Sequence, residues 1–99
     1  MTELTGKQRR YLRGLGNRTK ATVHVGARGI NEMLLEAIEE AFHTSELIKI
    51  KLQEGFPGER KQTGALLAEK TGSHLVQVLG KTILLYRRDE EAPEIELPE

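Results

Sequence analysis

Ala21-Thr22-Val23-His24-Val25 runs directly into Gly26-Ala27-Arg28-Gly29, and Ile30-Asn31 leads from there into an apolar run of helical period. The first five residues alternate as a strand does, with Ala21, Val23 and Val25 on the core side. Asn31 has the side chain of a helix N-cap. Leu34, Leu35, Ile38, Ala41 and Phe42 then fall on one helical face. A strand, a tight G-x-x-G turn and a helix in this order make a β-α unit. The glycines carry no Cβ, so a ligand can approach the backbone closely. The first N–H groups of the helix are unpaired and lie at the positive end of its dipole, which favours phosphate. A plain tight turn has the same signature, so the motif takes its meaning from the charge around it.

That charge is segregated along the chain. Residues 1–28 hold seven lysines and arginines against one acid, a net of +6. Residues 29–46 hold five glutamates and no base, a net of −5. Residues 47–88 are net +5, and residues 89–99 carry six acids and nothing basic. The formal total is zero, but a sum of opposed blocks speaks to partners rather than to fold.

Upstream of the turn, Thr5-Gly6-Lys7-Gln8 fits a capping box, predicting a helix to about Leu15 that stops at Gly16. Leu4, Gln8, Tyr11, Leu12 and Leu15 share one face, with Arg9, Arg10 and Arg13 opposite and Lys7 on the flank. These arginines suit either a solvated face or RNA contact. The second helix presents Glu32, Glu36, Glu39 and Glu40 outward, with two like-charge pairs at i,i+4 and no basic residue within the helix to relieve them. Such a face repels nucleic acid.

Downstream, Glu46–Leu52 reads as a second strand with Ile48, Ile50 and Leu52 on one face and Leu47, Lys49 and Lys51 on the other. Gly55-Phe56-Pro57-Gly58 is a loop. A third helix is expected over Glu59–Thr71, with Ala65, Leu66, Ala68 and Leu67 inward and Gly72 as its C-terminal cap. His74–Leu79 and Thr82–Arg87 pair as a hairpin across Gly80-Lys81. The expected class is α/β, a single domain of order α-β-α-β-α-β-β. Its mixed four-stranded sheet is layered with helices, and the β-α-β steps join parallel strands. The domain should occupy residues 1–88. Residues 89–99, with two prolines and six acids, should form a mobile tail.

Several function classes are excluded or disfavoured. The chain has no cysteine, hence no disulfide, thiolate metal site or cysteine nucleophile. His24, His43 and His74 lack metal-type spacing, and no P-loop, nucleophile-elbow or H-E-x-x-H motif occurs. Neither an enzyme nor a cofactor is expected. No stretch resembles a signal peptide or membrane span, so a cytoplasmic protein is expected. Only Tyr11, Phe42, Phe56 and Tyr86 are aromatic, too few for a sheet that stacks bases on a row of rings.

Taken together, Leu4-Thr5-Gly6-Lys7-Gln8-Arg9-Arg10-Tyr11-Leu12-Arg13, Val25-Gly26-Ala27-Arg28-Gly29-Ile30, Glu46–Lys51 and Val76–Arg87 resemble, in order, the signatures of CRM domains (chloroplast RNA splicing and ribosome maturation) of the bacterial single-domain YhbY type. The resemblance implies a fold like the C-terminal domain of translation initiation factor 3. It also implies a GxxG loop like that of KH domains, which clamp the backbone of about four nucleotides with it. It implies an RNA-binding protein that assembles the large ribosomal subunit on precursor ribosomal RNA; a monomer is expected. The contact residues would be Lys7, Arg10, Arg13, Lys20, Gly26, Ala27, Arg28 and Gly29. The family often has a basic residue first inside the GxxG, where this chain has Ala27; its Arg28 comes one place later. A separate possibility is a protein-interaction module that docks a basic ribosomal protein on the acidic face of the second helix.

Overall fold

The computed structural model describes residues 3–99. Its elements are α1 (Gly6–Gly16), β1 (Ala21–Val25), α2 (Glu32–Thr44), β2 (Leu47–Leu52), α3 (Arg60–Thr71), β3 (His74–Leu79) and β4 (Thr82–Tyr86). They follow the predicted order. The strands form one sheet in the order β1-β2-β4-β3. β1 lies parallel to β2, while β4 is antiparallel to both β2 and β3. β2 and β3 thus point the same way with β4 between them. A β-α-β step followed by a tight hairpin produces this arrangement when the hairpin folds back into the gap.

β4 is apolar on both sides, and this dictates the layers. Ile83 and Leu85 join Val23, Val25, Ile48, Ile50 and Leu52 under α2 and α3. Leu84 and Tyr86 join Leu47 and Val76 under α1 through Leu12. The sheet is therefore covered by α2 and α3 on one face and by α1 on the other. Val23 and Val25 enter the core as predicted. Ala21 is only half-buried, because an irregularity between Ala21 and Val23 shifts the register and pairs Ala21 with Lys49.

The capping box of α1 forms as the sequence suggests: Gln8 N–H donates to Thr5 Oγ1 at 3.1 Å, and Thr5 N–H to Gln8 Oε1 at 3.0 Å. The buried face is rotated from the predicted one, however. It centres on Leu12 and Gly16, leaving Tyr11 44% exposed. Gly16 is the cause. A Cβ there would come within 2.5 Å of Leu84 Cδ2, so only glycine lets the helix settle this close to β4. The rotation carries Arg9 to the helix–sheet border, where its guanidinium donates to the carbonyl of Leu75 in β3.

α3 also differs from expectation. Ala65 and Leu66 face solvent, while Thr63, Gly64, Leu67, Ala68 and Thr71 are buried. Threonine can occupy a core stripe when its hydroxyl bonds back along the helix. Here Thr63 donates to Glu59 O at 2.6 Å and Thr71 to Leu67 O at 2.7 Å.

Residues 89–99 are laid against the body and do not project as the expected mobile tail. The anchor is Glu46, expected at the start of β2 but lying just before it, and only 5% exposed. Its carboxylate accepts from the N–H groups of Asp89 (2.7 Å), Glu94 (2.8 Å) and Ile95 (2.7 Å). Ile95 and Leu97 then pack on the Leu12–Leu47–Tyr86 cluster, and Gln8 Nε2 donates to Pro98 O at 3.1 Å. A buried carboxylate requires such donors. The composition of the segment conceals them because they are backbone groups.

Two stability predictions follow from this packing. Deleting residues 89–99 should cost about 2 kcal/mol in lost apolar cover and charge-assisted hydrogen bonds, lowering the thermal midpoint by about 10 °C. An unchanged midpoint would return the segment to a free tail. The second concerns His74, stacked on Tyr86 with ring centroids 6.2 Å apart. Burial, then the Arg9 charge, lowers its pKa below the ordinary value. The unfolded chain takes up this proton at a higher pH than the fold does. The stability from neutral His74 is thus complete above about pH 6.5 and falls as acidification approaches the lowered value. Midpoints measured from pH 7 to pH 5 should drop through this window, and the drop should be smaller in His74→Gln.

Candidate nucleic-acid interface

The loop after β1 is closed by a hydrogen bond from Gly29 N–H to Gly26 O at 3.0 Å. Gly29 has φ +68°, a left-handed backbone that glycine adopts without strain. The turn backs onto the loop that follows β2. Gln53 N–H donates to Val25 O at 2.8 Å, and Gly29 faces Pro57 and Phe56. With its rear held, the loop presents exposed Ala27 and Arg28 at its tip. Arg28 makes no ion pair among the described residues.

Asn31 caps α2, its side chain accepting from Leu34 N–H at 2.9 Å. The anion-binding capacity read from the sequence is therefore partly used within the chain. Leu35 N–H already donates to Asn31 O, and Glu32 places a carboxylate in the first turn. Among the described residues the N–H groups of Glu32 and Met33 have no acceptor. Beside the loop, a groove of 320 Å³ runs between β1 and α2, bordered by His24, Gly26, Arg28, Asn31, Met33 and Ala37. No Phe, Tyr or Trp lines it and His24 supplies its one ring, so a bound strand would meet mainly backbone and aliphatic surface.

The sequence-predicted contact residues form two groups. Gly26, Ala27, Arg28 and Gly29 stand together at the C-terminal end of β1. Lys7, Arg10 and Arg13 lie on α1, which packs on β2, β3 and β4 from the sheet face opposite α2 and α3. Lys7 and Arg10 are exposed and Arg13 is half-buried. Lys20 is exposed at the other end of β1 from the loop. Arg9 is withdrawn by its bond to β3.

Two basic side chains missed by the sequence reading as contacts complete the picture. Lys51 is exposed and its register partner in β1 is His24; Lys49 is half-buried one pair further back. The alternation Leu47-Ile48-Lys49-Ile50-Lys51-Leu52 was the available signal. It could not be read as a site without knowing that β1 lies beside β2.

The acidic face of α2 is relieved at one point from outside the helix. Arg87 donates to both oxygens of Glu39, at 2.5 and 2.9 Å, and to Thr71 O at 2.9 Å. Its guanidinium sits 4.4 Å from the Phe42 ring centroid. Hydrogen bonding to Arg87 holds the Glu39 carboxyl below its usual pKa, and the same bond raises that of Arg87. Glu32, Glu36 and Glu40 remain around Met33, which is 72% exposed. No described helix is long and apolar enough to cross a membrane.

The chain matches the CRS1 / YhbY (CRM) domain over residues 4–87. It is 36% identical over 95 residues to the Bacillus subtilis "Probable RNA-binding protein YqeI", covering 96% of this chain and 99% of that one. It is 40% identical over 100 residues to a Haemophilus influenzae protein named "RNA-binding protein", covering 99% and 98%. The solution structure of SAV1595 from Staphylococcus aureus, described as a candidate RNA binding protein, superposes with a TM-score of 0.82 at 41% identity, covering 97% of this chain and all of that one.

The two loop glycines should respond differently to substitution. Gly29→Ala forces an alanine into the left-handed region and should cost about 1 kcal/mol in urea denaturation. A Cβ at Gly26 would meet only Gln53 Oε1, at 3.7 Å, an ordinary contact. Gly26→Ala should therefore stay within about 0.5 kcal/mol of the parent. Equal losses at both positions would show that the turn geometry described above is not the one in solution.

Proposed function

The chain belongs to the CRS1 / YhbY (CRM) domain family, and from that premise we propose that it is a non-catalytic RNA-binding protein that grips the RNA backbone through residues 26–29. The observation that carries this reading is a braced G-x-x-G turn whose tip arginine makes no ion pair among the described residues, opening on a groove without Phe, Tyr or Trp. A phosphate can come close at Gly26, where no side chain intervenes. The free N–H groups of Glu32 and Met33 and the Arg28 guanidinium supply donors for its oxygens. Lys7, Arg10, Arg13 and Lys20 contribute attraction at longer range, which sets affinity and association rate rather than sequence choice. The relatives' names support RNA as the partner. The resemblance set out above supports large-subunit precursor ribosomal RNA as the particular RNA; in this reading a monomer handles it in the cytoplasm.

A second reading has one observation in its favour. Met33 stands exposed among Glu32, Glu36 and Glu40, a surface suited to a basic ribosomal protein. It differs from the first reading in what binding should depend on, since RNA affinity would not need the loop.

Neutralising three to five phosphates of single-stranded RNA should give a slope of log K against log[salt] of about −2 to −3.5, from roughly −0.7 per phosphate. The double variant Ala27→Asp/Arg28→Asp keeps both glycines and the fold, yet sets two carboxylates against the same N–H groups. It should bind at least about tenfold more weakly, roughly 1.4 kcal/mol. Glu36→Asp/Glu40→Asp, which conserves charge, should bind as the parent does. A salt-independent parent would discard the RNA reading. A folded loop variant that binds unchanged would reduce the G-x-x-G to a turn. Sedimenting lysate through a gradient should place the protein with precursor particles of the large subunit; absence from them would remove that assignment.

A further inference from the structure

An RNA strand held at the G-x-x-G loop has two surfaces over which it can continue. One is the outer face of α2, which begins at the loop. The other is the part of the sheet face that α1 leaves open. α1 covers Leu47, Val76, Leu84 and Tyr86, the lower rows of that face. The topmost row runs across all four strands at the loop end. His24 pairs with Lys51, Lys51 with Thr82, and Thr82 with Leu79. Being register partners, these four side chains lie on one face of the sheet. His24 and Lys51 are exposed, Thr82 is half-buried and Leu79 is 60% exposed. Three interstrand gaps make the row roughly 14 Å long.

Charge decides between the two exits. Along α2 the strand would pass Glu32, Glu36 and Glu40, none of which makes an ion pair among the described residues. Along the row it passes His24 and Lys51, with Lys49 half-buried behind them. The acid at that rim is Glu54, and it already faces Lys81 at 4.0 Å. The hairpin that ends the row is held in place by Arg60, whose guanidinium donates to Gly80 O at 2.5 Å.

We propose that the upper row of the open sheet face is a second RNA-contact site, carrying the sugar-phosphate strand from the G-x-x-G loop across β1 and β2 toward the β3–β4 hairpin. Lys51 is the cation that meets the next phosphate beyond the loop. His24 offers a ring nitrogen to the ribose or phosphate between them. Thr82 donates its own hydroxyl proton to Leu79 O at 2.7 Å, so its oxygen remains an acceptor for a ribose hydroxyl. Leu79 supplies apolar contact for a sugar or base edge at the far end. This site rests on the RNA reading above and adds to it the direction in which the strand leaves the loop.

The test compares charge reversals in the full chain, using a short fluorophore-labelled single-stranded RNA of mixed sequence. Lys51→Glu should weaken binding about fivefold or more and flatten the salt slope by about 0.7, the contribution of one phosphate. Lys51→Gln, which removes only the charge, should show a smaller loss in the same direction. Lys70→Glu makes the same change of net charge in the last turn of α3, beyond the opposite sheet face, and should leave the slope unchanged. His24→Ala should weaken binding by about twofold to threefold. Thermal midpoints within a few degrees of the parent confirm that exposed positions were altered without unfolding. Equal effects of Lys51→Glu and Lys70→Glu, with the Ala27→Asp/Arg28→Asp variant still defective, would overturn the row and keep the loop. Salt-independent binding by the parent would overturn both.

Discussion

Everything in this fold depends on β4 being apolar on both faces while sitting between β2 and β3. Ile83 and Leu85 must be covered on one side, Leu84 and Tyr86 on the other. A sheet with one greasy face could have left its second face to water. Here α1 has to fold back across it, and Gly16 allows that approach against Leu84. One short helix cannot cover four strands. The row nearest the G-x-x-G loop stays open, and it is the row where Lys51 and His24 replace leucine and tyrosine. The open surface is thus what remains when a small domain must cover both faces of its sheet.

The covering is completed by polar groups in positions where apolar ones would be expected. Glu46 is nearly inaccessible, yet among the described residues it makes no ion pair; three backbone N–H groups donate to it. Arg87 is held between Glu39, Thr71 O and the Phe42 ring, which ties the end of β4 to α2 and α3. The Glu39–Arg87 pair is partly exposed, so its net contribution is modest. Its geometric effect is larger, since it fixes the chain that leads from β4 into the last eleven residues. Arg9 does the same for α1 against β3.

The element order, both helix caps, the turn and the hairpin were legible because each has a local cause. Thr5 and Gln8 cap within one turn, Asn31 caps its own helix, and Gly80-Lys81 closes neighbouring strands. What was not legible needed partners distant in sequence. The rotation of α1 depends on Leu84 and the inward face of α3 on hydroxyls that bond to their own helix. The docking of residues 89–99 depends on a glutamate nearly fifty positions earlier. The loop half of the candidate site was readable from Gly26 to Asn31. Lys51 was visible as an outward lysine, but its meaning required the register that sets it beside His24.

The same Glu46 latch that completes the core also explains how a chain of zero net charge can offer a basic surface. Six negative charges follow Arg88. On a free tail they would sample the whole domain and compete with any polyanion for its arginines and lysines. Glu46 pins Glu94 and Ile95 at the start of β2, whereas the G-x-x-G loop stands beside the end of it. Six residues of strand separate the two ends, roughly 17 Å, about twice the distance over which physiological salt screens exposed charges. The acidic segment can therefore cap the lower cluster with Ile95 and Leu97 without neutralising Arg28 or Lys51. It is the buried carboxylate, by seating the acidic segment against α1 and the start of β2, that keeps those charges away from the loop end of the sheet.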